Sequence, residues 1–156
     1  MTADRRRPDG AANVLVVPRI LIATDADWVL EEVTEALADD DVRFTVCRSG
    51  KDVDGAVKDR RPDLAVLDLQ IGNMGGIAVT MHLRLEESGG RLPHVPALVL
   101  LDRRADLHLA RRSGAEGWLV KPLDSLRLRR AAKALLAGGT YTEGLETPAG
   151  AAAAAG

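Results

Sequence analysis

Three charged residues far apart in the chain each stand at the end of a short apolar run. Asp25 follows residues 19–23, Asp68 follows residues 64–67, and Lys121 follows residues 118–120. Their types suit one kind of chemistry. Two carboxylates are a natural start for a Mg²⁺ site, because that ion takes oxygen ligands and commonly one or two carboxylates together with water and phosphate oxygens. A lysine ammonium offers a point charge to a phosphate oxygen. A carboxylate can itself be the nucleophile and form an acyl phosphate. Each residue also has an ordinary reading: Asp68 in a turn, Asp25 capping a helix, Lys121 on the surface. Their coincidence at three matching positions favours the chemical one, provided the fold brings those positions together.

The elements that would do so are visible as changes of period. Residues 19–23, 44–47, 64–67, 97–101 and 118–120 are apolar runs too short for helices, so they read as strands. From Asp27 the apolar residues Val29, Leu30, Val33, Ala36 and Leu37 recur at helical spacing, with Glu31, Glu32 and Glu35 outside. Asp27 is the expected N-cap, and the early glutamates suit the positive end of the helix dipole. Further helices are expected over residues 52–61, 77–87, 105–113 and 124–137. The first of these stops before Pro62, since the residue preceding proline resists helical backbone, and Gly114 ends the third. The last turns Leu128, Ala131, Ala132 and Leu135 inward and Arg127, Arg129, Arg130 and Lys133 outward.

Strands apolar at nearly every position belong to a parallel sheet covered on both faces. Right-handed crossovers and too few units for a barrel leave an α/β fold, an open doubly wound five-stranded parallel sheet with helices on both faces. Functional groups then collect beyond the carboxyl ends of the strands, where Asp25, Asp68 and Lys121 all lie.

Composition sets outer bounds. The chain has 156 residues, 46% of them apolar but only 3% aromatic, so one core built of Leu, Val, Ile and Ala is expected. The single cysteine, Cys47, excludes an intramolecular disulfide and a cysteine-based zinc site, and reads as a small buried residue. No run approaches the roughly 20 apolar residues of a membrane helix. Arg5-Arg6-Arg7 lacks the apolar region and cleavage site of an export signal, so a cytoplasmic protein is expected. Residues 1–18 are expected to be a flexible extension, 19–137 the folded domain, and 138–156 a disordered low-complexity tail ending in alanines. Charge is divided: residues 1–102 carry 12 Lys/Arg against 18 Asp/Glu, and residues 103–137 carry 9 against 3. Direct nucleic-acid binding is not expected, because the basic stretch comes with no recognition helix, zinc framework or aromatic platform. His82, His94 and His108 lie on separate elements without ligand spacing and read as surface or packing residues. Trp118 is open between a partner-facing aromatic and a packing residue.

In order and spacing the chain resembles the receiver domain of response regulators in two-component signalling, over about residues 19–137. PDLAVLDLQIGNMGG, residues 62–76, is similar to that family's phosphoacceptor loop, and RRSGAEGWLVKPLD, residues 111–124, to its approach to a functional lysine. The resemblance implies a flavodoxin-like strand order 2-1-3-4-5. It implies Asp68 as phosphoacceptor, and Mg²⁺ held by Asp25, Asp68 and the backbone carbonyl of Gln70. Lys121 would contact the phosphoryl group through a loop with a cis bond to Pro122, and Gly76 would close the acceptor loop. A histidine kinase or phosphotransfer protein would be one partner. A downstream protein or a second copy would meet the helix 4–strand 5–helix 5 face. No enzymatic activity is implied beyond self-catalysed transfer to Asp68 and its hydrolysis.

The departures from the family pattern carry their own expectations. Thr24 stands where receivers usually have another acidic residue, which should weaken Mg²⁺. The hydroxyl expected at the end of strand four has Leu101 in its place, or Asp102 if the alignment slips by one; leucine cannot make the hydrogen bond, and an aspartate would repel a phosphoryl group. Gly72 stands in place of the loop's usual proline, and the connection from strand four to Gly114 is about two residues short. A dehalogenase-like phosphatase would need an acid where Gln70 stands, and a dinucleotide site would need a Gly- or Ser/Thr-rich loop where Ala23-Thr24-Asp25 stands. Two readings follow: a single-domain response regulator that takes a phosphoryl group on Asp68, or a degenerate pseudo-receiver that binds its partner without phosphorylation.

Overall fold

The computed structural model describes residues 17–144. Its strands are β1 (Arg19–Ala23), β2 (Arg43–Cys47), β3 (Leu64–Asp68), β4 (Ala97–Leu101) and β5 (Gly117–Val120), and they form one parallel sheet in the order β2-β1-β3-β4-β5. The three central strands are buried almost throughout, which is why they read as unbroken apolar runs. Alternate residues supply opposite faces. Ile20, Ile22, Leu64, Val66, Leu98 and Leu100 pack beneath α1 (Asp27–Leu37) and α5 (Ser125–Leu136). On the other face Leu21, Ala65 and Leu67 pack with α2 (Asp52–Asp59) and α3 (Gly76–Ser88), while Val99, Leu101 and Trp118 pack with α4 (Leu107–Ser113). Among the described residues no helix is long and apolar enough to cross a membrane.

Register decides what meets at the carboxyl edge. Ala23 pairs with Leu67, so the next residues, Thr24 and Asp68, leave their strands side by side. Leu101 pairs with Val120, which sets Asp102 beside Lys121 in the same way.

Local chemistry moves several boundaries. Ala26, not Asp27, is the N-cap of α1, and Asp27 instead pairs with Arg48 at 2.5 Å. The segment expected to be one helix from residue 105 begins as a 3-10 turn, Arg104–Asp106, before the short α4. Asp106 forms that turn by accepting from the Arg103 backbone at 3.2 Å and from its guanidinium at 3.0 Å. Gly114, at φ 89°, ends α4 as expected, and Asp124 caps α5 by accepting from the Arg127 N–H at 2.9 Å.

The chain after α5 differs most from expectation. Residues 138–144 do not trail away. They turn back at Gly138 (φ 88°) and run along the outer edge of β5, where Tyr141 forms a parallel bridge with Gly117. Arg127, expected to face outward, reaches over to this segment and binds Glu143. The described part of the domain therefore runs through Gly144. Most of the expected N-terminal extension (residues 1–16) and the rest of the expected tail (residues 145–156) lie outside the described residues.

Candidate functional site

Asp68 closes β3 with only 2% of its surface exposed. A carboxylate so buried needs partners, and each oxygen has at least one. Oδ2 accepts from the Thr24 hydroxyl at 2.7 Å. Oδ1 accepts from Lys121 Nζ at 2.7 Å and from the Gln70 N–H at 3.3 Å. Lys121 also donates to Asp102 Oδ1 at 2.8 Å, and its ammonium lies 5.5 Å from the centre of the Trp28 ring. The Lys121–Pro122 bond is cis, as the family resemblance implied.

The electrostatics follow from these contacts. Burial alone would pull the Lys121 ammonium down, but its bonds to Asp102 and Asp68 outweigh that and hold it above the ordinary lysine value. Burial likewise pushes Asp102 up, and its hydrogen bonds to the Lys121 ammonium and the Gln70 side chain, with the nearby positive charges, bring it below the usual carboxylate range. Asp25, Asp68 and Asp102 share this edge with the single ammonium of Lys121, so it carries a negative surplus suited to a cation or to an incoming cationic partner.

The loop after β3 is built by close backbone contacts. A side chain at Gly76 would come within 2.6 Å of the Asp68 carbonyl, so only glycine lets α3 start there. Gly50 donates its N–H to the Gly72 carbonyl at 3.0 Å and leaves no room for a Cβ against Met74. Asn73 (φ 63°) and Met74 (φ 139°) both have positive φ. Asparagine tolerates this region; at Met74 it is backbone strain of the kind that gathers at functional loops.

The three expected site residues are distributed unevenly. Asp68 and Lys121 are in direct contact. Asp25 stays exposed, and its Oδ2 accepts from the Gly72 N–H at 3.0 Å. That bond accounts for the absence of a proline at this position, because a proline has no N–H to give. Gln70 touches the site through its N–H on Asp68 and its side chain on Asp102. Leu101 is fully buried among Val99, Leu107, Ala110 and Trp118, so it packs the core. The residue beside Lys121 is Asp102, which binds the lysine that stands between it and Asp68.

The bond of Asp102 to Lys121, the place of Trp28 and the donor role of Thr24 were missed in the sequence, where Asp102 was expected only to repel a phosphoryl group. Asp102 had a signal, since it follows β4 as Lys121 follows β5. Thr24 is buried, accepts from the Ala26 N–H at 3.1 Å, and donates to Asp68, which no carboxylate could do. Trp118 is 3% exposed and packs in the core, with its indole N–H donated to the Glu143 carbonyl at 2.9 Å. Cys47 is buried, and burial followed by the charge of Asp52 pushes its thiol up to about 11, which keeps it unreactive. His82, expected to stand apart, bonds Asp54 at 2.8 Å and lies with Asp54 and Glu86 in a group whose ligand atoms are within 4.8 Å. Lys58 and Arg91 already neutralise those two carboxylates.

For Mg²⁺ the donor set is adequate but thin. Asp25 and Asp68 supply carboxylates and the edge has charge to spare, while Thr24 already donates to one oxygen of Asp68. A carboxylate oxygen has a second lone pair to offer, so the oxygens present fit such an ion, with one acid fewer to attract it.

A family described as the response regulator receiver domain matches residues 20–133. PilH of Pseudomonas aeruginosa is 26% identical over 120 residues, covering 77% of this chain and 98% of PilH. The DNA-binding response regulator MtrA of Mycobacterium tuberculosis is 32% identical over 106 residues, 67% of this chain but 44% of MtrA. The chain thus spans nearly all of one relative and less than half of the other. Among solved structures, the chemotaxis response regulator CheY4 of Vibrio cholerae superposes with a TM-score of 0.67 at 20% identity, covering 77% of this chain and 99% of CheY4. A LuxR-family response regulator from Aurantimonas gives 0.69 at 23% identity, covering 81% and 89%. At such identities the structural likeness speaks for the fold.

Proposed function

The chain belongs to the response regulator receiver domain family, and from that premise we propose that it is a single-domain switch whose Asp68 accepts a phosphoryl group. The donor is the phosphohistidine of a histidine kinase or phosphotransfer protein, or a small acyl phosphate. An oxygen of Asp68 attacks phosphorus, the bond to the donor's nitrogen or oxygen breaks, and an acyl phosphate forms on Asp68. The observation that carries this reading is the contact of Lys121 with Asp68 in a buried pocket. As charge moves outward, the ammonium transfers its hydrogen bond from the carboxylate to a phosphoryl oxygen. Thr24 holds the carboxylate in place. Mg²⁺, held by Asp25, Asp68 and the Gln70 carbonyl, would neutralise charge on the phosphoryl oxygens. Because the ammonium then leaves Asp102, the start of the 3-10 turn before α4 is released, and the change is read by another protein on the α4–β5–α5 face. A cytoplasmic setting belongs to the same proposal.

A second reading rests on Asp102 and Thr24: their hold on Lys121 and Asp68 makes an edge that is complete without a phosphoryl group, as in a degenerate receiver. Beryllofluoride with Mg²⁺, a mimic of the acyl phosphate, separates the two. The switch reading expects a saturable change in Trp28 fluorescence in the wild-type chain and none in Asp68→Asn. An unchanged wild-type spectrum and thermal midpoint would favour the phosphate-independent module.

A further inference from the structure

We propose that the open edge of β5 is a docking site for an extended, carboxylate-bearing protein segment, and that residues 140–144 of this chain occupy it in competition with a partner that presents such a segment.

β5 is the last strand of the sheet, and its outer backbone groups, which would otherwise stay unpaired, are the ones that take this segment. Two of the bonds made there are strand-like: the Trp118 N–H donates to the Tyr141 carbonyl at 2.9 Å, and the Tyr141 N–H to the Glu116 carbonyl at 3.1 Å. Beyond them the pairing changes to a carboxylate clamp. The Val120 N–H donates to Glu143 Oε1 at 3.0 Å, and Arg127 grips both oxygens of that carboxylate, at 2.7 Å and 2.6 Å. Bidentate arginine reads carboxylate geometry closely. Arg127 is itself set in place by the carbonyls of Val120 and Pro122, both at 2.8 Å. The indole of Trp118 adds its bond to the Glu143 carbonyl.

Two glycines mark how closely the segment lies. A Cβ on Gly117 would come within 2.7 Å of the Tyr141 carbonyl, and one on Gly144 would collide with Leu107 of α4. The surroundings suit an acidic occupant, since residues 103–137 carry 9 Lys/Arg against 3 Asp/Glu.

The occupant is short: among the described contacts, one bridge pair, the Trp118 indole bond, one clamped carboxylate and the approach of Gly144 to Leu107 seat it, and α5 delivers it through a short connection at high effective concentration. A partner strand with the same pattern, an edge-pairing residue followed two positions later by an acid, makes the same bonds and adds contacts to α4 and α5. This is strand addition with side-chain readout.

The test uses the full chain labelled with ¹⁵N and the synthetic peptide GTYTEGLE, which copies residues 139–146. Glu143→Gln in the chain should shift the Trp118 indole signal and speed exchange of the Val120 amide by at least about tenfold, as for an amide that loses an ordered acceptor. Thr142→Ala, at an exposed position of the same segment, should leave both unchanged. Added to the Glu143→Gln chain, the peptide should restore both signals saturably, and the peptide with Gln in place of its first Glu should not. Three results would overturn the proposal: Glu143→Gln leaving both signals unmoved, no saturation by the acidic peptide, or a concentration-dependent dimer of the wild-type chain that exchanges this segment and so makes a second copy the occupant.

Discussion

Thr24 donates its hydroxyl proton to Oδ2 of Asp68 over 2.7 Å, and both side chains are buried. A position that ordinarily supplies a further acid to this family instead supplies a donor. The consequence is a carboxylate that is oriented before any ion arrives, with less negative charge to attract one.

Thr24→Val keeps the shape and removes the donor. It should lower stability by about 1–3 kcal/mol, the usual consequence of leaving a buried acceptor short of a partner, readable as a lower midpoint in urea. Thr24→Asp should act in two directions: less stable without Mg²⁺, because a fourth acid then joins Asp25, Asp68 and Asp102 at the edge, and tighter for Mg²⁺ in calorimetry.

Asp102 binds the same ammonium that a phosphoryl group would need. Asp102→Asn should free Lys121 and lengthen the lifetime of a phosphoryl group on Asp68, measured by the decay of the adduct mass. A shorter lifetime would mean that Asp102 assists the modified state.

The same residue sets a pH dependence. Asp102 titrates below its unfolded value of 3.8, so the stability it contributes is complete above that pH and is lost as pH falls through the lower folded value. The stability difference between wild type and Asp102→Asn should therefore be flat near neutrality and shrink only below about 3.8. Lys121 titrates above 10.5, so its contribution should persist to that pH and fade beyond it.

Gly76→Ala tests the loop. Its Cβ would lie 2.6 Å from the Asp68 carbonyl, backbone that cannot swing aside. A loss of about 1–3 kcal/mol is expected from the forced shift, with slower phosphoryl loading because Asp68 moves with it.

The sheet was legible because β1, β3 and β4 are buried on both faces, so burial wrote itself into unbroken apolar runs. Asp68 and Lys121 were legible because they end such runs. What depended on register was not. Asp102 and Thr24 have their roles because of which residues Leu101 and Ala23 face in neighbouring strands, and pairing across a parallel sheet leaves no local pattern. The segment 138–144 was invisible for a different reason: it is held by backbone bonds and one clamped carboxylate, with no apolar period to betray it. Trp28 was hidden as an exposed aromatic on a helix, since its contact is to a lysine on a distant strand end.

The most direct test is intact mass after incubation with acetyl phosphate, with and without Mg²⁺, for the wild-type chain and for Asp68→Asn. A single phosphoryl adduct that requires both Mg²⁺ and Asp68 is expected, despite Thr24 and Leu101. An adduct that persists in Asp68→Asn, or no adduct with Mg²⁺ on either the wild-type chain or the Asp102→Asn variant, in which Lys121 is freed, would contradict a phosphoacceptor at Asp68.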